Sequence, residues 1–377
     1  MFTKTAQKKL VGLEIEAGSI AATEVSVNGS TEVTGHAIAS LDSGIFNEGE
    51  VADPEALGDA LKALFAEHKL SRSVRVGIAN QRVAVRTLQL PSIADENELD
   101  AAVRFQAQDH IPMPLEQAVL DWEVVGHSAG SGGEPLIQVV AVAARREMLE
   151  MTMTALDRAG LRPVGIDLSA FGMTRALNRD VGPTAAVPAV TTAYEDRAPA
   201  DAPAEDAAAT PEEQPANLYA SLGDITNLAV VRSVSCLFTR IVPFGIEGVA
   251  QTLSTRRELT LEHSRQWLNH VGLKHSIEEL EGDPEIIAAT REILNESAAK
   301  LAEEFRLSLD YYGTQPGAAA INEIVFCGAG TTVPGLVERL QVELGYPCRV
   351  SRPAALQHLD EASVARLTVP FGLALEG

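Results

Sequence analysis

The chain has 377 residues, with 30 Lys and Arg against 52 Asp and Glu, a formal charge of −22. At roughly 100–200 residues per domain this length allows two or three domains or one large composite. Apolar residues at 46% and charged residues at 22% exclude a largely disordered chain and a disulfide scaffold. The acidity argues against a nucleic-acid surface, which needs clustered positive charge. It also disfavours a basic membrane-surface patch. The three cysteines, Cys236, Cys327 and Cys348, are far apart and in apolar contexts. They read as buried, reduced thiols of a reducing compartment.

Along the chain, Met1 to Leu10 is basic, and Glu14 and Glu16 then interrupt the apolar run that a signal peptide needs. No window reaches the ~18 apolar residues of a spanning helix. The expectation is a soluble, cytoplasmic protein that reaches a membrane only through a partner. Leu10 to Val27 alternates as two strands about a turn, and Ser30 to Ser40 adds a third. Asp53 to His68 reads as a helix with an Asp-Pro start and Leu57, Leu61, Leu64 and Phe65 at helical spacing. A distinct block follows from Val74 to Ala144. Val74 to Ile78 and Val83 to Leu90 read as strands, and Asp95 to Asp109 as a helix with Asp95 and Glu98 as a capping box. Leu120 to Gly126 and Leu136 to Ala144 are further strands, so the block reads as a small α+β insertion. Arg146 to Ala159 is a helix ended by Gly160, Arg162 to Asp167 a strand, and Ala170 to Leu177 a helix.

Pro183 to Ala216 holds twelve Ala, six Pro and seven acids against the single basic Arg197. Such a segment cannot bury enough apolar surface to offset its ordering entropy and is expected to be a disordered acidic linker. The second half opens as the first did. Leu218 to Ser235 and Cys236 to Pro243 form a second meander, with Gly245 to Ser254 as the helix after it. Glu258 to Val271 and the long amphipathic Pro284 to Tyr312 are helices, Glu323 to Cys327 a buried strand, Val337 to Leu344 a helix and Cys348 to Val350 a closing strand.

Three turns interrupt this pattern where a phosphate could be held by backbone amides: Glu16 to Ser19, Gly223 to Asn227, and the glycine-rich Gly328 to Gly335. A tight turn packed on a helix explains the third equally well. Three such turns in two repeated halves point to a cleft between lobes. Of the scattered histidines only His263 and His270 share a helix, without partners at ligand spacing, so no zinc site is expected. No nucleophile elbow or catalytic dyad is present.

Several ordered blocks resemble the type IV pilus assembly PilM family of actin-like ATPases, relatives of FtsA. They are Val11 to Ile15, Gly49 to Leu57, Val85 to Pro91, Arg104 to Pro114 with Asp121-Trp122, Ala155 to Leu161, Asp167 to Phe171, Phe238 to Gly245 and Phe371 to Leu375. The resemblance covers nearly the whole chain outside the acidic segment. It implies an α/β, actin-like (ribonuclease H-like) two-lobed fold with a small inserted α+β subdomain. The organisation expected is 1–70 as the first part of lobe 1, 71–144 as the insertion, 145–182 as the return of lobe 1, 183–216 as linker and 217–377 as lobe 2. It also implies a cytoplasmic adaptor that binds the N-terminal cytoplasmic peptide of a PilN-like inner-membrane protein and couples it to assembly motor ATPases. The peptide site is expected near Arg86, Arg104, Phe105, Ile111 and Pro112; for Phe105 and Ile111 taken singly, a place in the subdomain core is the competing reading.

The nucleotide turns depart from the family. The first, D-I-G-S-S-S-I-K in relatives, is Glu14-Ile15-Glu16-Ala17-Gly18-Ser19-Ile20-Ala21 here. Glu16 puts an anion where phosphate approaches, and Ala21 removes a cation; opposed anions repel by roughly a few kcal/mol when poorly solvated. The second turn lacks the leading Asp. The candidate cleft is Glu14, Ser19, Gly223, Thr226, Gly328 and Gly330, with either no cofactor or weakly held ATP and magnesium, and little or no hydrolysis. No catalytic residue or metal ligand is assigned. The rival readings are an active actin-like ATPase that switches pilus assembly, and an FtsA-like filament former.

Overall fold

The computed structural model describes residues 9–27, 31–129, 133–178, 185–186, 215–233, 235–315 and 317–375. In the first half, β1 (Lys9–Glu16), β2 (Ser19–Val27) and β3 (Thr31–Ser40) form an antiparallel meander. A short ladder, β4 (Phe46–Asn47) with β5 (Glu50–Val51), leads into α1 (Pro54–His68). Asp53 accepts the amides of Glu55 and Ala56 at 3.0 and 2.9 Å, and Pro54 opens the helix where no donor is required. Strand β6 (Ser73–Ile78) then lies parallel to β1.

The insertion comprises β7 (Ala84–Pro91), α2 (Glu96–His110), β8 (Ala118–Ala129) and β9 (Pro135–Arg145). Its sheet runs β7-β9-β8, all antiparallel. Leu99, Val103 and Ala107 of α2 pack on Leu88, Leu90, Val139 and Ala141 of that sheet. Asp95 caps α2 through the amides of Asn97 and Glu98. The chain returns through α3 (Arg146–Ala159), β10 (Arg162–Leu168) and α4 (Ser169–Asn178), with β10 parallel to β6. The strand Ser73–Ile78, grouped with the insertion on sequence alone, thus belongs to the first lobe's sheet, ordered β10-β6-β1-β2-β3. Alternation identifies a strand, but only long-range pairing selects its sheet.

The segment 183–216 lies outside the described residues except at two places. Strand β11 (Ala185–Ala186) pairs with residues 349–350, and residues 215–216 lead into the next strand. The second half comprises β12 (Ala216–Leu222), β13 (Thr226–Arg232), β14 (Ser235–Val242), α5 (Ile246–Arg257), α6 (Leu261–Val271), α7 (Pro284–Gly313), β15 (Ile321–Cys327), α8 (Leu336–Leu344), β16 (Cys348–Val350) and α9 (Glu361–Ala374). Its sheet is ordered β11-β16-β15-β12-β13-β14. Apart from β11, this repeats the first sheet strand for strand: a meander, then two parallel strands on the side of its first strand. The helix expected from Glu258 begins three residues later. Glu258 has φ 54° and closes α5, and Thr260 caps α6 by accepting the amide of His263 at 3.2 Å.

The terminal helices of the two halves, α4 and α9, form the layer between the lobes. Met173, Ala176 and Leu177 of α4 pack with Leu367, Val369, Phe371 and Leu373 of α9, with Ala21 and Val25 of lobe 1, and with Tyr219, Ala229 and Val325 of lobe 2. Helix α9 seats on β1 at Gly12, where a Cβ would come within 1.9 Å of the Pro370 carbonyl. The guanidinium of Arg75 donates to the carbonyl of Leu373 at 3.1 Å, tying the end of α9 to β6. Among the described residues no helix is long and apolar enough to cross a membrane. Cys327 and Cys348 are buried and Cys236 half-buried, all as free thiols. Burial pushes each thiol up to about 12, which leaves them inert.

Candidate functional site

Two cavities follow from this architecture. The first lies between the lobes, where the β1–β2 turn faces the β12–β13 turn. Glu16 ends β1, and its carboxylate crosses to accept the amide of Asp224 at 3.1 Å. Asp224 answers in the opposite direction, accepting the amide of Ala17 at 2.7 Å and that of Ile225 at 2.6 Å. Above them Arg265 of α6 forms a close ion pair with Glu247 of α5, and both side chains are mostly buried. Arg366, Asn269 and Thr332 complete the walls. The cavity left is about 80 Å³.

The electrostatics are those of crowded acids. Burial, then the charge of Asp224, raises Glu16 to about 7. Burial and the charge of Glu16 raise Glu14 well above its ordinary value, against a hydrogen bond with Ser169. Asp224 is also raised by burial, partly offset by the amides of Ala17 and Ile225.

Of the residues expected in this cleft, Ser19 and Gly223 line it. Glu14 lies behind Glu16 on β1 and feels its charge without lining the cavity. Thr226 is fully buried, and its hydroxyl donates to the Phe244 carbonyl at 2.8 Å. Gly328 and Gly330 pack on Leu222, where a Cβ would meet that residue's atoms at 2.6 and 2.7 Å, so close approach to the end of β12 explains both glycines. The sequence reading missed Asp224, Glu247, Arg265 and Arg366. Glu247 and Arg265 sit 18 positions apart on different helices, with no local pattern to join them.

The second cavity, about 620 Å³, lies where lobe 1, the insertion and edge strand β14 of lobe 2 meet. Arg82, Arg86, Arg145 and Arg240 line it, and among the described residues no acidic side chain does. Each guanidinium is anchored by the protein. Arg82 pairs with Glu50 at 2.9 Å, Arg86 donates to the His110 carbonyl at 3.0 Å, Arg145 pairs with Glu147 at 3.2 Å and Arg240 with Glu304 at 3.0 Å. Two use a second nitrogen: Arg86 also donates to the Val85 carbonyl at 2.8 Å and Arg240 to the Ser308 hydroxyl at 3.0 Å. A guanidinium carries five donors, more than these bonds use. The walls include Ile78, Val83, Met113 and Ile241. Asn227 also lines the cavity; it is only 5% exposed, and its Oδ1 accepts no bond from the described residues.

The residues expected to hold a peptide divide three ways. Arg86 and Pro112 line this cavity. Ile111 is in the core of the insertion. Arg104 and Phe105 stand on the outer face of α2, where Arg104 pairs with Asp100 at 2.7 Å and Phe105 is 74% exposed. Trp122 is structural, its indole N–H donating to Asp100 at 2.9 Å. His270 faces the Glu281 carbonyl, and no metal-ligand cluster occurs among the described residues.

The family model described as type IV pilus assembly protein PilM matches residues 12–188 and 221–375. The chain belongs to the PilM family. Among solved structures it is similar to a PilM-PilN type IV pilus biogenesis complex, at 23% identity over 98% of both chains with a TM-score of 0.73. It is also similar to the ethanolamine utilization protein EutJ from Carboxydothermus hydrogenoformans, at 12% identity over 100% of this chain and 92% of that one, TM-score 0.52. The ADP-bound MreB5 of Spiroplasma citri matches at 12% identity over 97% and 94% of the chains, TM-score 0.50. The fold is therefore the actin-like one, mixed α/β, and the chain has a role in type IV pilus assembly.

A nucleotide in the cleft of this PilM-family chain would need its phosphates at the two turns. Ligand pockets of drug-sized molecules measure roughly 300–1,000 Å³. The cleft offers about 80 Å³, and Glu16 and Asp224 already use the amides of the facing turns. As arranged, these residues do not fit a nucleoside triphosphate.

Proposed function

We propose that this chain is a non-hydrolysing adaptor on the cytoplasmic face of the pilus machine, holding the N-terminal cytoplasmic peptide of a PilN-like membrane protein. The observation that carries this reading is the arginine-lined cavity. A chain of charge −22 gathers four arginines on the walls of one groove beside the insertion, and the glutamates paired with three of them lie outside its lining. Fixed guanidinium forks suit backbone carbonyls and carboxylates of an extended segment, while Ile78, Val83, Met113 and Ile241 offer apolar walls to alternate side chains. The similarity to a PilM-PilN complex supports the choice of partner. Through its remaining surface the adaptor would pass that attachment to the assembly motors.

The test is calorimetric titration of a synthetic N-terminal peptide of the PilN-like protein from the same organism. Saturable binding is expected, weakened at least about tenfold by Arg86→Glu combined with Arg240→Gln. No binding by the unaltered protein, or equal binding by the variant, would sink the proposal.

A further inference from the structure

The cleft of this chain is occupied by its own side chains in a way that mimics a ligand. Backbone amides at two facing turns are what an actin-like fold offers to an anion. Here the anions are internal. The Asp224 carboxylate bridges the lobes, taking the Ala17 amide from one turn with one oxygen and the Ile225 amide of its own turn with the other. The Glu16 carboxylate runs the opposite way to the Asp224 amide. The two form a reciprocal pair across the boundary between halves more than 200 residues apart in the chain.

The glycines of both turns fit this use. A Cβ at Gly223 would lie 2.0 Å from a carboxylate oxygen of Glu16. One at Gly18 would lie 2.4 Å from the Arg265 guanidinium and 2.6 Å from the Glu247 carboxylate. The bare backbone that lets a phosphate approach is approached instead by Glu16 and by an ion pair.

We infer that Glu16 and Asp224 stand in place of a nucleotide's phosphates and hold the two lobes closed with no ligand. The groups facing them come from every surrounding element. Glu14 is on β1, Ser19 on β2, Ser169 on α4, Glu247 on α5, Arg265 on α6 and Arg366 on α9. Arg265 neutralises Glu247, while Arg366 supplies a favourable charge to Glu16. Lobe closure, which in a nucleotide-gated protein would vary with the ligand, is thereby made a constant of the fold.

Hydrogen exchange on the full chain reads this directly, because the Ala17 and Asp224 amides are bonded to those carboxylates. Both amides are expected to exchange slowly without nucleotide, and millimolar Mg-ATP should leave them unchanged. Fast exchange without nucleotide, or slowing on addition of Mg-ATP, overturns the inference. In Asp224→Ala the Ala17 amide should exchange at least about tenfold faster while the amides of β9 in the insertion keep their protection. Retained protection of Ala17 in that variant also overturns it. Loss of protection in β9 as well would mark global unfolding, and Glu16→Ala then decides, by whether the Asp224 amide alone is released.

Discussion

The inter-lobe cleft and the arginine-lined groove sit in one fold and use charge in opposite ways. The cleft gathers Glu16, Asp224 and Glu247 into about 80 Å³ and satisfies them with amides and Arg265. The groove gathers Arg82, Arg86, Arg145 and Arg240 around about 620 Å³ and leaves each guanidinium with more donors than its own bonds use. A polar group whose partners are all internal has little to offer a ligand, whereas one whose donors are partly used is oriented and still able to bond. The position of a cleft within a known fold therefore does not make it the binding site. What counts is which hydrogen-bonding capacity the chain has already used.

The comparison can be broken hardest at the cleft. Gly245→Ala sets a methyl carbon 2.3 Å from the Gly223 carbonyl oxygen and 2.6 Å from that of Asp224, backbone of the turn that carries the Asp224 bridge, and should cost about 2–4 kcal/mol, in the upper range for overpacking. Chemical denaturation measures this, and a cost under about 0.5 kcal/mol would mean that the β12–β13 turn shifts freely. Next in size is Arg265→Met. Removing the cation leaves Glu247 enclosed without its counter-charge, a loss of about 2–3 kcal/mol given that such pairs cost about 3–5 when fully buried. The same change should not alter peptide affinity, which calorimetry checks.

A smaller effect concerns pH. The Glu16 carboxyl is raised from 4.5 to about 7 in the folded chain, so the folded state binds the proton more tightly than the unfolded one. Its contribution is present in full below about 4.5 and is lost as pH rises through about 7. Between pH 6 and 8 the loss is about 1 kcal/mol, and the melting temperature should fall by about 1–3 °C. Glu16→Gln should remove this slope; an equal slope in both proteins would assign the titration elsewhere. The smallest effect sharpens the groove. Phe105→Ser should change stability by less than about 0.5 kcal/mol and leave peptide affinity unchanged, since Phe105 stands on the outer face of α2. A clear loss of affinity would move the peptide site from the groove to that face.

Much of this molecule was readable residue by residue. Asp53-Pro54, Asp95 and Gly160 mark helix ends that the structure keeps, because capping is decided within a few residues. The repeat of two meanders was visible in alternation. Helix α9 was not. Its stretch Leu367 to Ala374 has no polar face and contains Pro370 and Gly372, both poor in isolated helices. It folds because it is buried on every side between the lobes, and tertiary packing outweighs propensity there. Glu16 stood out as an anion misplaced in a phosphate turn, and the structure puts it in the cleft. Its partner Asp224 was passed over, since nothing local says that the turns face one another.

By itself, the sequence determined what short-range chemistry controls: strand alternation, helix caps, the acidic segment between the halves, and the motif blocks that assign the family. The tertiary structure alone decided which sheet receives Ser73–Ile78, that Arg104 and Phe105 stand apart from Arg86, and that four arginines from three regions meet at one groove. It also decided that the cleft is closed by carboxylates from both halves. The reason is physical. Capping and periodicity depend on neighbours a few residues apart, whereas desolvation, ion pairing and cavity volume depend on what distant segments bring to the same place.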